Sequence, residues 1–132
     1  MAERAKNKTI GKMGENVAAG YLKNNGYEII DRNYSARCGE IDIIAADSKY
    51  LIFVEVKTRS LNSLDRPCKW VDKNKQRKII KTTLLYLCNN KDVKGNRMIR
   101  FDVIEVVYDN VTKSVIDINH LKGAFDATGV PH

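Results

Sequence analysis

Two apolar runs, at residues 39–45 and 51–57, constrain this chain more than any other feature, because carboxylates and a lysine interrupt them at fixed spacing. In the first, Glu40 and Asp42 alternate with Ile41 and Ile43; in the second, Leu51, Ile52, Phe53 and Val54 lead into Glu55, Val56 and Lys57. Runs of this length, rich in β-branched residues and separated by Asp47-Ser48-Lys49, predict a β-hairpin. With Ser48-Lys49 as a two-residue turn, Asp47 faces Tyr50, and the antiparallel ladder then sets Asp42 opposite Glu55 and Glu40 opposite Lys57. Side chains alternate along a strand, so these four project from one face with Ile44 and Phe53. Ile41, Ile43, Ala45, Ile52, Val54 and Val56 make the other face wholly apolar. Both faces are therefore buried at the turn end, and the charged end of one opens onto a cleft or solvent. Ser-Lys is not a favoured turn pair, and a slip of one residue would send Asp42 and Glu55 to opposite faces.

At 132 residues the chain has room for one modest core. Residues 9–24 carry apolar positions at helical spacing and end at Asn25-Gly26, which predicts a first helix. A short strand at 27–31 and a polar stretch at 32–38 precede the hairpin, and 60–70 is irregular. A second helix is expected over 72–89 with Gln76, Ile80, Thr83, Leu84 and Leu87 on one face, then a loop at 90–97 and strands at 99–107 and 115–118. The order is αβββαββ, an α/β domain over residues 9–119 with a central mixed sheet. Residues 1–8 are expected to be a flexible N-terminus and 120–132 a partly ordered tail. No apolar run approaches the ~18 residues that cross a bilayer and no segment resembles a signal peptide, so the expectation is a cytoplasmic protein without membrane contact. Cys38, Cys68 and Cys88 are odd in number and form no pattern with His120 or His132, which argues against disulfides and structural zinc.

The formal net charge is +7, and it is unevenly distributed. Between residues 66 and 100, eleven Lys and Arg face two Asp, leaving the remainder slightly acidic. A local basic segment suits a polyanion such as nucleic acid, and a basic helix face kept for solubility accounts for it equally well. Lys73, Arg77 and Lys81 fall at i, i+4 and i+8, with Lys75 and Lys78 nearby, a stripe suited to phosphates. Gln76 aligns with the buried face at its cleft end. Tyr34, Arg37, Arg59 and Trp70 flank the hairpin as candidates for the rim of a groove.

Opposed carboxylates about 4.5–5.5 Å apart repel. A raised pKa, a neighbouring cation or a bound divalent metal would offset this. Lys57, two residues along from Glu55, supplies one such cation, and the two carboxylates suit Mg2+ or Mn2+ held against a phosphate. The competing arrangement is a Glu40–Lys57 ion pair at a sheet edge with Asp42 and Glu55 solvated.

Asp42 followed by Glu55-Val56-Lys57 resembles the D…(E/D)xK signature of the restriction-endonuclease-like, or PD-(D/E)xK, nucleases. Further blocks narrow the resemblance: Gly11-Lys12-Met13-Gly14-Glu15, Gly39-Glu40-Ile41-Asp42-Ile43-Ile44, Phe53 through Arg59, Lys75-Gln76-Arg77-Lys78-Ile79, Arg100-Phe101-Asp102-Val103 and Ala124-Phe125. In this order they resemble the small bacterial YraN-like family, uncharacterised protein family 0102, which is similar in its core to archaeal-type Holliday-junction resolvases. The resemblance implies a restriction-endonuclease-like three-layer fold, with a central mixed β-sheet flanked by helices. It implies Asp42 and Glu55 as metal ligands completed by the Val56 carbonyl, Glu15 joining the metal directly or through water, and Lys57 as the catalytic lysine. Lys75 and Gln76 would contact the sugar-phosphate backbone. Ile41 stands where the superfamily signature has Pro. The expected function is a metal-dependent endonuclease hydrolysing DNA phosphodiester bonds in branched or structured DNA, and a homodimer would suit cleavage of two strands. The alternatives are a catalytically inactive nucleic-acid-binding module with the same fold, and an interaction subunit whose basic helix meets an acidic protein.

Overall fold

A computed structural model describes residues 2–61 and 71–127, with side chains from residue 9 onward. Strands β1 (Glu28–Ala36), β2 (Gly39–Ala46), β3 (Tyr50–Ser60), β4 (Met98–Tyr108) and β5 (Val115–Phe125) form one sheet in the order β1-β2-β3-β4-β5. Helix α1 (Ala2–Asn24) precedes them, α2 (Lys73–Asn89) connects β3 to β4, and α3 (Lys91–Lys94) is a single turn. β3 and β4 are parallel, a pairing that requires the crossover α2 supplies, and the other neighbours are antiparallel. The mixed sheet has a helix on each face, giving the expected three layers. On one side Ile79, Ile80 and Tyr86 of α2 pack with Ile44, Phe53 and Phe101. On the other, Ala18, Ala19 and Leu22 of α1 pack with Ile43, Val54 and Ile104. β3 and β4 are buried on both faces, which is why they read as near-continuous apolar runs.

The hairpin has the expected register, pairing Ile43 with Val54, Ile44 with Phe53, Ala45 with Ile52 and Ala46 with Leu51. The poor Ser-Lys turn is rescued by Asp47, whose Oδ1 accepts the N–H groups of Lys49 and Tyr50 at 2.9 and 2.6 Å. The ladder stops at Ile43 and Val54, so the expected pairs Asp42–Glu55 and Glu40–Lys57 lie beyond it. The two-face reading also needs correction. Ile41 belongs to the α2-side core and Ile43 to the α1-side core, although they are two residues apart. β1 breaks step at the same level: Asn33, between the pairs Arg32–Ile43 and Tyr34–Ile41, has a φ of 54°. Arg32 reaches α1 while Tyr34 joins the α2-side core. The alternation thus reverses in both strands at the level of the left-handed Asn33.

Several boundaries differ from expectation. Residues 2–8 belong to α1 and form no separate N-terminus. β1 continues through 32–36, where polar and half-buried residues alternate as an edge strand allows. β5 runs to Phe125, so residues 120–125 are strand and not tail; Phe125 stacks on Phe101 with centroids 4.9 Å apart. The buried face of α2 is Ile79, Ile80, Thr82, Thr83 and Tyr86, and Leu84 is 58% exposed. Tyr86 takes the core because its ring packs edge-on against Tyr34 and Phe53, which turns the helix away from the expected Leu84 side. Cys38 and Cys88 are free; Cys68, Trp70 and His132 lie outside the described residues.

Asp102 fastens the far strand. Its fully buried carboxylate accepts two hydrogen bonds from Arg100, each 2.8 Å, and one from the Gly123 N–H at 3.0 Å, and it meets His120 Nε2 at 2.7 Å. His120 Nδ1 in turn contacts the Tyr21 hydroxyl at 3.0 Å, tying β5 and α1 to β4. Burial pushes the carboxyl up, but the bonds from His120, Arg100 and Gly123 outweigh it and hold it below the usual range. A depressed native pKa stabilises the fold above the unfolded value near ~3.9 and is lost as pH falls through the native one. Asp102→Asn should lower the unfolding free energy by about 3–5 kcal/mol at pH 7, since it removes the fully buried partner of a half-buried arginine. In urea titrations it should also flatten the loss of stability that the unmodified protein undergoes below about pH 4.

Candidate active site

Past Ile43 and Val54 the strands part, and Asp42 Oδ2 accepts the Val56 N–H at 2.8 Å in place of a backbone partner. The opening is a cleft of about 420 Å³ to which five elements contribute: Glu15 from α1, Glu40 and Asp42 from β2, Glu55 through Thr58 from β3, Lys75 from α2 and Tyr108 from β4. Gly14 explains how α1 comes so close, because a Cβ there would collide with the Thr58 hydroxyl. Its neighbour Glu15 is thereby delivered into the cleft. Glu15 is 3.5 Å from Arg32 Nη2, which also donates to Asn16 Oδ1 at 2.7 Å. The four residues expected to act together, Glu15, Asp42, Glu55 and Lys57, thus share one cavity with Val56.

Two of the three remedies for clustered carboxylates operate at once. Glu55 is 7% exposed, and its Oε1 has Lys75 Nζ at 3.4 Å and Lys57 Nζ at 3.7 Å. Lys57 therefore pairs with Glu55, its neighbour on the strand, instead of forming the cross-strand pair with Glu40. Among the described residues Asp42 has no such cation: burial, then Glu55, then Glu15 and Glu40 push its carboxyl up to about 7 against the opposing Val56 N–H bond. Among the described residues no three His, Cys, Asp or Glu side chains gather into a ready-made metal cage. Two carboxylates with further oxygen donors nearby are nonetheless the set that suits Mg2+, which keeps several of its waters. The donor chemistry fits, and the raised Asp42 pKa marks a carboxylate that is both buried and set among like charges, a cost that a divalent cation would relieve.

On α2, Lys73, Arg77, Lys78 and Lys81 are exposed, and Arg37 is exposed in the β1–β2 turn beside Lys78 and Gly39. Gln76 is less open than expected, since its amide donates to the Val71 carbonyl at 2.8 Å. Arg59 is turned inward, its Nε 3.4 Å from the buried Glu105. Tyr34 is no rim residue, because its ring packs on Tyr86 with centroids 5.0 Å apart. Of the basic segment, Arg97 donates to the carbonyls of Asp47 and Val93, and Arg100 is committed to Asp102. Arg32 and the inward reach of Lys75 were not legible in the sequence. Asp72 held the one signal for Lys75: as N-cap it accepts the Lys75 N–H at 2.9 Å, which fixes the helix start and with it the direction of Lys75.

Because its native pKa is raised, the Asp42 carboxylate costs folding free energy that builds from about pH 4 and is complete above about pH 7. Asp42→Asn keeps an acceptor for Val56 and removes the charge. It should stabilise the metal-free protein by about 1–3 kcal/mol at pH 8 and leave it nearly unchanged at pH 4.5 in thermal melts. A lowered melting temperature at pH 8 would contradict this electrostatic account.

A family model described as "Uncharacterised protein family UPF0102" matches residues 14–106. A UPF0102 protein of Clostridium botulinum (strain 657 / Type Ba4) is 44% identical over 119 residues, covering 90% of this chain and 95% of the relative. One from Alkaliphilus oremlandii is 44% identical over 119 residues, covering 90% and 99%, and one from Persephonella marina 43% over 116 residues, covering 88% and 92%. No helix among the described residues is long and apolar enough to cross a membrane. The match extends over the C-terminal part of α1, both strands of the hairpin, all of α2 and most of β4, and the chain belongs to uncharacterised protein family UPF0102.

Proposed function

We propose that this protein is a Mg2+- or Mn2+-dependent endonuclease that hydrolyses DNA phosphodiester bonds, with branched or otherwise structured DNA as its substrate class. The observation that carries the reading is the convergence of Glu15, Asp42, Glu55 and Lys57 in one cleft to which the basic helix α2 also contributes. The branched class rests on the resemblance to the YraN-like family, which is similar in its core to archaeal-type Holliday-junction resolvases.

Asp42 and Glu55 would hold the cation, with the Val56 carbonyl and Glu15 completing its surroundings directly or through water. The cation would supply positive charge to the phosphate and acidify water. The chain's own groups prepare for both. The Val56 N–H fixes the Asp42 carboxyl, which near pH 7 can give up its proton as the cation arrives. Lys57 Nζ, on the strand that carries Glu55, can neutralise charge developing on the phosphate and orient the attacking water. Lys73, Arg77, Lys78 and Lys81, joined by Arg37, would grip the sugar-phosphate backbone without reading bases, so binding should be salt-sensitive and indifferent to sequence.

Incubation with branched and linear DNA in Mg2+ or Mn2+ should give cleavage that falls by at least about 10²-fold in Glu55→Ala and in Lys57→Ala. If no DNA is cut, and salt-sensitive binding survives Asp42→Ala without any metal requirement, the protein is a binding module on a nuclease fold.

A further inference from the structure

One oxygen of Glu55 carries two ammonium groups, and they differ in how they are held. Lys57 comes from the same strand, whereas Lys75 comes from the first turn of α2, where the Asp72 side chain pins its backbone. The Lys75 side chain is 41% exposed and that of Glu55 is 8% exposed, so Lys75 reaches inward from solvent to a nearly buried carboxylate. Lys73, Arg77 and Lys78 are exposed on the same helix. A single flexible side chain therefore links the carboxylate cleft to the surface suited to phosphates.

We infer that Lys75 is an exchangeable counter-ion: it neutralises Glu55 in the metal-free protein and is displaced by the divalent cation onto a phosphate of bound DNA. The inference rests on the metal-dependent nuclease reading and adds the regulation of that site. Glu55 cannot keep two ammonium groups near one oxygen and also accept a divalent ion without like-charge repulsion, so one must leave. Lys75 is the one with a phosphate surface to move to, since it stands on α2 beside the exposed Lys73, Arg77 and Lys78, whereas Lys57 stays on the strand that carries Glu55. An ammonium group released beside a phosphate strengthens DNA binding. By linkage DNA must then strengthen metal binding to the same degree, which makes the two ligands cooperative.

Mn2+ titration calorimetry on the full chain tests this with Lys75→Met and, as a control for net charge, Lys91→Met on α3 outside the cleft. Lys75→Met should bind Mn2+ about 3- to 10-fold more tightly than the unmodified protein, and Lys91→Met should stay within about twofold of it. With Ca2+ as the cation, the gain in affinity for a branched DNA on adding metal should be larger for the unmodified protein than for Lys75→Met. Equal Mn2+ affinities, or an equal gain with Ca2+, would overturn the exchange and leave the nuclease reading standing. Absence of Mn2+ binding by both proteins would overturn the two together.

Discussion

The hydrogen bond from the Val56 N–H to the Asp42 carboxylate is the contact on which the architecture around the cleft depends. It lies where the β2–β3 ladder ends, and it answers a backbone donor that parted strands would otherwise leave without a partner. Without it, either the strands would zip further and close the cleft, or a polar group would be orphaned at the edge of the core. The reversed alternation at Asn33 and Asp42 complements this bond. It sends Ile41 into the α2-side core while Ile43 seals the α1 side, so both hydrophobic layers stay closed up to the lip of the opening.

Within the opening, two carboxylates from neighbouring strands are tolerated by different physics. Glu55 remains compatible with burial because ammonium groups stand on its Oε1, while Asp42 relieves the repulsion by holding its proton up to about pH 7. A solvated sheet edge would need neither. The site therefore stores electrostatic cost that a divalent cation would release, and local instability of this kind is what a binding site for such an ion requires. The same logic separates the Asp102 cluster, where every charge is matched and the result is structural.

How much of this could be read beforehand depended on the range of the interaction responsible. The hairpin register was legible from two apolar runs and a turn, even though the turn pair was poor, because the compensating Asp47 is local. Asp42, Glu55 and Lys57 were legible for the same reason. The flip of Ile41 was not, since it is matched to the left-handed backbone of Asn33 in another strand. Nor was the length of β5, whose final residues are held by Asp102 and Phe101 from β4. Helical spacing leaves Leu84 and Tyr86 as rival candidates for the buried face of α2, and the rings of Tyr34 and Phe53 decide between them. Glu15 came from the resemblance, and its physical reason is the close passage of Gly14 over Thr58.

Topology explains why the acidic cleft and the basic helix meet. A parallel β3–β4 pair needs a crossover, and a crossover helix starts from the end of the sheet where its first strand finishes. Glu55 lies at the middle of β3 and Lys57 beyond it, so the first turn of α2 returns beside them, and ligands of open α/β sheets gather toward such strand ends. That first turn holds Lys73 and Lys75 with no acidic residue, so its charges add to the positive end of the helix dipole instead of opposing it. Such placement disfavours the helix by roughly 0.3–1 kcal/mol per charge, and the Asp72 cap and Glu55 offset part of it. From Lys73 to Lys81 the stripe rises about 12 Å along the axis, leading away from the cleft. A helix selected for stability alone would place acids where these lysines stand, and their position makes sense once an anion has to be held over the carboxylates of β2 and β3.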